Sequence, residues 1–232
     1  MKKILKWLDN YWYHYKWATI IVTASIVVLV IMISQFATRE KVDVSLIYAG
    51  PQIVTANARR DAETEIAKLL DSDLNGDGKK NCAITDFYLL TEAQIAEIQR
   101  DYDEKQEVHV VNRTELAGTE TQFTNQISAG DASIMMLDPY WYDRLKKQNL
   151  IVPLDEILDD VPDYAADEFS VRLCDTPFAG YFTALRFFPD DTVLCLRRLP
   201  VTSAFTGKSS AEKQYEASKE LFRKMIGFSV DR

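Results

Sequence analysis

From Val42 onward the chain alternates between two hydrophobic periods. Apolar runs of strand length at 42–48, 83–90, 108–111 and 133–137 are separated by stretches whose apolar residues return every three or four positions. In the first such stretch Ala58, Ala62, Ile66, Leu69 and Leu70 share one helical face, and Arg59, Arg60, Asp61 and Glu65 take the other. Thr91 with Gln94 forms a capping box for a second helix, in which Ile95, Ile98 and Tyr102 align. A third helix is expected over 119–128, with Phe123 and Ile127 inward. This order predicts an α/β domain with a mainly parallel sheet, right-handed crossovers and helices on both faces.

The stretch 123–158 shows the pattern most completely. It predicts the end of a helix, a turn at Gly130, a buried strand, a helix opened by Pro139, a stop at Asn149 and a short second helix. The following text, DDVPDYAADEFS, is acidic and turn-rich. A strand is expected at 171–174, a packed aromatic loop at 175–191 around Pro177, Gly180 and Pro189, and a strong strand at 192–198. Ser209 with Glu212 is expected to cap a last helix whose Ala211, Tyr215, Ser218, Phe222 and Met225 form a core-packing stripe.

The N-terminal part has neither period. Residues 17–33 form an uncharged apolar run that continues to Phe36, and YWYHYKW before it has the make-up of an interfacial aromatic belt that includes His14. A cleaved signal peptide is the competing reading, but Phe36 would occupy the position before the cut, where a small residue is needed. The expected organisation is a cytoplasmic N-terminus at 1–16, a transmembrane anchor at 17–36 and an extracytoplasmic domain at 40–232, oriented by the lysines that precede the span.

Composition agrees with that division. The chain is 47% hydrophobic, yet its mean hydropathy is −0.18, so its apolar residues are concentrated in one segment. Formal charge is −8; the first sixteen residues carry four lysines against Asp9, which leaves the body near −11. So acidic a body disfavours nucleic acid as a partner. Cys82, Cys174 and Cys195 have no CxxC spacing and make neither a disulfide framework nor a zinc site. Cys82 and Cys195 lie in apolar runs that suit buried thiols; a Cys174–Cys195 bridge is the alternative.

The sharpest local motif is DSDLNGDGKKN at 71–81. Asp73, Asn75, Asp77 and Asn81 offer alternate oxygen side chains, Gly78 permits the tight turn, and the Lys79 carbonyl adds another oxygen. Hard oxygen ligands imply calcium in a structural role. The pattern resembles the front half of dockerin-type and EF-hand-like loops, with Ile84 where the closing carboxylate would stand and Asp71 or Asp86 as nearby substitutes. The same residue types also make an ion-free turn between a helix and a strand.

The run FTNQISAGDASIMMLDPYWYDRL, followed by LIVPLDEI, resembles the first lobe of bacterial extracellular solute-binding proteins of the sugar-binding, type II periplasmic-binding-protein group. VDVSLIY at 42–48 is similar to that family's first strand, and 192–198 with the last helix resembles the return into the same lobe. The resemblance implies a type II lobe held by a transmembrane helix in place of a lipobox cysteine. With so little chain between Asp159 and Asp191, it implies roughly one lobe. It places a ligand edge at the C-terminal ends of the parallel strands, at Tyr48, Gly50, Asp138, Tyr140 and Trp141, where aromatic faces and a carboxylate suit an oligosaccharide. Trp141 with Leu145 also suits core filling, and Asp138 also suits a helix cap.

No Walker loop, GxGxxG, HExxH or Ser-His-Asp spacing occurs, and nothing singles out a pair of carboxylates for glycosidase chemistry. The expected function is therefore non-enzymatic. One reading is a membrane-anchored solute-binding module that serves uptake or sensing beside a transporter permease. The other is a reduced scaffold that contacts another envelope protein.

Overall fold

The computed structural model describes residues 2–38, 42–105, 110–130, 132–199 and 208–229. It divides into two compact units, Met1–Lys41 and Val42–Arg232. The first unit is one helix, α1 (Lys2–Thr38). Within it Tyr11–Met32, with mean hydropathy 2.0, is the one described segment long and apolar enough to cross a membrane. At 1.5 Å per residue it reaches about 33 Å, against a hydrocarbon core of about 30 Å.

The second unit is α/β, built on a six-stranded mixed sheet. Its elements are β1 (Val44–Gly50), α2 (Ala56–Ala67), β2 (Cys82–Tyr88), α3 (Glu92–Glu104), α4 (Arg113–Ala129), β3 (Ile134–Leu137) and α5 (Pro139–Lys147), followed by β4 (Ala165–Asp167), β5 (Ser170–Arg172), α6 (Pro177–Tyr181), β6 (Val193–Leu196) and α7 (Lys208–Ile226). The strands lie in the order β2-β1-β3-β6-β5-β4. β1 is parallel to β2 and β3, with Tyr48 opposite Asp86 on one side and Met136 on the other.

The expectation of a mainly parallel sheet holds only for those three strands. β3 pairs antiparallel with β6, β6 with β5, and β5 with β4. Chain length accounts for the last of these pairings alone: parallel neighbours need a crossover of a dozen or more residues, and only Glu168 and Phe169 separate β4 from β5. β4 lies in the acidic stretch whose composition suggested only turns, and α6 lies in the expected packed loop.

Strand alternation sorts the side chains into two cores. Leu46, Tyr48, Ile134, Met136, Leu194 and Leu196 face α2, α6 and α7, packing with Ala62, Ile66, Phe178, Phe222 and Met225. Ile47, Ala49, Met135, Leu137, Val193 and Cys195 face the other way, toward Phe123 and Ile127 of α4 and Trp141 and Leu145 of α5. Helices therefore cover both faces, as the pattern predicted. Each core is apolar and nearly sealed from water, which is the main stabilising term for such a domain.

Several local readings meet their geometry. Thr91 and Gln94 make a full capping box for α3. Asp138 caps α5, Pro139 opens it, and Asn149 lies beyond its end with φ 58°. Gly130 ends α4 in the left-handed conformation, φ 86°. That end is also closed by a residue the pattern did not flag. Arg197, 2% exposed, donates to the carbonyls of Ile127 (2.7 Å), Gly130 (3.0 Å) and Ala132 (3.0 Å). A buried guanidinium can stand there because the carbonyls left unpaired at a helix end accept its protons.

Other readings shift. Leu154–Glu156 is a single 3-10 turn where a short helix was expected. Ser209, expected as the cap of the last helix, lies within α7 (Lys208–Ile226). Of the expected strand at 108–111, Val108 and His109 lie outside the described residues, and Val110 is 80% exposed in irregular chain. All three cysteines are free, with Cys82 and Cys195 buried and Cys174 exposed, so no Cys174–Cys195 bridge forms.

Candidate functional site

The C-terminal ends of β1, β2 and β3 lie side by side, and α2, α3 and α5 each start just beyond one of them. Thr55, Thr91 and Asp138 cap these helices through their side-chain oxygens. The connecting segments are laced together: the Leu89 amide donates to the Gly50 carbonyl (2.9 Å) and the Asp138 amide to the Ala49 carbonyl (2.8 Å). Three helix N-termini at one sheet edge make a polar, electropositive rim of the kind that binds ligands in α/β folds.

The chain's own side chains occupy most of this rim. Tyr48 is 1% exposed, its ring lies 4.9 Å from that of Phe188, and its hydroxyl oxygen accepts the Gln52 amide at 3.1 Å. Burial, opposed by that hydrogen bond, pushes its phenol up to about 12. Gly50 lies beneath the same ring; a Cβ there would come within 2.7 Å of the Tyr48 hydroxyl. Asp138, 5% exposed, accepts the Tyr140 amide (2.9 Å) and the Gln94 side-chain amide (2.8 Å), so both carboxylate oxygens are engaged. Trp141 is 4% exposed in the second core, edge-on to Phe123 and Tyr140, with the Arg144 guanidinium 5.2 Å from its ring centre. Its indole N–H is buried and meets no hydrogen-bond partner among the described residues.

Of the five expected ligand residues, Tyr140 is the one whose side chain stands largely free, at 53% exposure. Ile53, on the segment after β1, is 66% exposed and was not singled out by the sequence. A small cavity of about 170 Å³ opens beside Trp141, between Leu89, Ile95 and Leu116. Its charged lining residues are tied in ion pairs, Glu92 with Arg113 (2.7 Å) and Glu120 with Arg144 (2.5 Å). Pockets that enclose a small molecule commonly measure about 300–1,000 Å³.

The oxygen-rich loop at 71–81 is ordered by its own side chains. Asp73 accepts the Gly76 and Gly78 amides, each at 2.6 Å; Asn75 accepts the Asp77 amide (2.9 Å), and Asp77 the Lys79 amide (2.8 Å). Gly76 and Gly78 have φ of 76° and 84°, which only glycine adopts without cost. The Gly78 amide, with the lesser help of those of Gly76, Asp77 and Asn75 and against the cost of desolvation, holds the Asp73 carboxyl below its ordinary range.

Asp43 is the residue that sequence reading missed here. It is 1% exposed and accepts the amides of Leu74 (2.8 Å), Asn75 (3.0 Å) and Asn81 (2.9 Å), while its own amide is held by Asn81. The signal available was a lone acid at the start of an apolar strand. Carboxylate and amide oxygens at 73, 75 and 77 are of the hard type that calcium takes. Ile84, in the twelfth position, is buried in β2 opposite Leu46 and supplies no ligand. Among the described residues no three Asp, Glu, His or Cys side chains group as a metal centre.

No protein-family model matches the chain, and comparison with characterised proteins and with solved structures finds no match.

Proposed function

We propose that residues 42–232 are a membrane-tethered, non-catalytic recognition domain on the outer side of the membrane, built on one solute-binding-like lobe and used to contact another protein. The observation that carries this reading is the filling of the strand edge: Tyr48, Asp138 and Trp141 are each at most 5% exposed. Tyr140 and Ile53 are left standing at the ends of neighbouring strands. An edge filled in this way presents a surface rather than a pocket, and a surface suits a protein partner. The lobe reading is supported by β6, which returns antiparallel beside β3, and by α7, which packs back on the face shared with β1. The anchor reading is supported by Tyr11–Met32 and by the lysines that precede it.

Solute capture, with an oligosaccharide at Tyr140 and the cavity beside Trp141, is the second reading; the buried indole N–H, without a partner among the described residues, favours it. Thermal-shift measurement of the full-length protein against an oligosaccharide panel separates the two. The recognition reading expects no saturable stabilisation, and stabilisation lost in Tyr140→Ala would favour solute capture. Calcium belongs to the proposal as a structural ion held by Asp73, Asn75, Asp77, Asn81 and the Lys79 carbonyl, with its closing oxygens from water. Calorimetric titration with calcium tests it. Heat of binding that disappears in the Asp73→Ala, Asp77→Ala double variant supports the ion, and no heat in the parent protein removes it.

A further inference from the structure

On the opposite core's side of the molecule a groove of about 670 Å³ runs between α7 and the segment 69–74. Its apolar lining comes from Leu69, Leu70, Leu74, Ala217 and Leu221. Leu74 is 42% exposed although it sits between polar loop residues. Along the helix wall Glu212, Glu216 and Glu220 recur every fourth residue, which places them in one row about 6 Å apart. Glu220 pairs with Arg223 at 3.5 Å, and Asp71 on the facing wall pairs with Lys224. Among the described residues Glu212 and Glu216 make no salt bridge, and both are exposed. The groove is also braced: Lys224 donates to the Leu69 carbonyl at 3.2 Å, Lys80 to the Leu70 carbonyl at 3.0 Å, and Asp43 holds the Leu74 amide.

We infer that this groove is the docking site for a basic amphipathic helix of a partner protein. The inference rests on the reading of the domain as a protein-recognition module and assigns it a second surface, apart from Tyr140. A helix laid along three turns of α7 would set apolar residues at i, i+3, i+4 and i+7 against Leu74, Ala217 and Leu221. Lysines or arginines at four-residue spacing on its flank would meet the row of glutamates, two of which pair with no cation among the described residues. Because the walls are already tied by Lys224 and Lys80, little ordering accompanies binding.

The test is fluorescence anisotropy with full-length protein in micelles, with binding to empty micelles subtracted. The probe is a labelled peptide of about four helical turns, with leucines at i, i+3, i+4 and i+7 and flanking lysines. The expected result is saturable binding that weakens with added salt and falls about tenfold or more in both Glu212→Lys/Glu216→Lys and Leu74→Arg. Tyr140→Ala leaves it unchanged. Equal binding of the same peptide with glutamates for lysines, or unchanged affinity in both variants, overturns the inference. So does a dimer in light scattering that Leu74→Arg dissolves, because a second copy would then fill the groove. If the peptide fails to bind while Tyr140 still contacts a protein, the groove proposal alone fails.

Discussion

The ring of Tyr48 closes over Gly50: a methyl group at position 50 would meet the phenolic oxygen at 2.7 Å. The two residues are separated by only one position on β1, and together they seal the strand end where a ligand would otherwise enter. Tyr48 cannot swing away freely, because it is packed against Phe188 and is 1% exposed. Gly50→Ala is therefore expected to destabilise the domain by about 1–3 kcal/mol, the usual cost of overpacking. Tyr48→Phe keeps the ring and loses only the bond from the Gln52 amide, at about 1 kcal/mol. Urea unfolding of both variants checks the order; a Gly50→Ala protein as stable as the parent would show that the ring is not fixed.

Asp43 is expected to matter more than any acid in the loop it organises. Asp43→Ala leaves the amides of Leu74, Asn75 and Asn81 without their acceptor, at about 1–3 kcal/mol for a buried unsatisfied group. Asp43→Asn keeps one acceptor oxygen and should fall between the parent and the alanine variant. Thermal denaturation ranks the three. Equal stability of all three would mean that water replaces the carboxylate.

Asp167 sets an acid limit on stability. Burial opposes its charge, but the Lys146 ammonium, the Tyr142 hydroxyl, the Phe169 amide and the Ser170 hydroxyl all donate to it, and the net effect holds its carboxyl below the ordinary range. A depressed carboxylate contributes stability that is fully present above its unfolded value and is lost as pH falls through the folded one. The loss is expected below about pH 4. Chemical denaturation of the parent and Asp167→Asn between neutral pH and pH 3 should converge as the pH drops. A gap that stays constant would contradict the assignment.

Cysteine labelling reports on side as well as burial. Cys174 is exposed, whereas burial isolates Cys82 and Cys195 and pushes the Cys82 thiol up to about 12. A membrane-impermeant maleimide is expected to modify intact cells at one position, lost in Cys174→Ser. Modification only after lysis would reverse the proposed orientation.

Much of this architecture was legible because two cores need two alternating faces. Ile47 and Met135 point one way and Tyr48 and Met136 the other, and the strand pattern carries that information locally. The antiparallel half was not legible, since β4 is three residues of Ala and Asp whose pairing depends on β5 and not on their own period. β1 and β3 end close to where the pattern put them, but which aromatic there is core and which is surface was left open: Tyr48 is core and Tyr140 is surface. Only tertiary packing against Phe188 distinguishes them. Asp43 and Arg197 were illegible for the same reason, as their partners lie 31–38 and 65–70 residues away in the chain.

The central claim is that the strand edge meets a protein and not a solute. Photo-crosslinking from an unnatural amino acid at Tyr140, at Ile53 and at the exposed control Gln122 on α4, in native membranes, tests it most directly. The account predicts that positions 140 and 53 yield the same single protein adduct and that position 122 yields none. Absence of any protein adduct at 140 and 53, together with an oligosaccharide that stabilises the parent but not Tyr140→Ala, would contradict it.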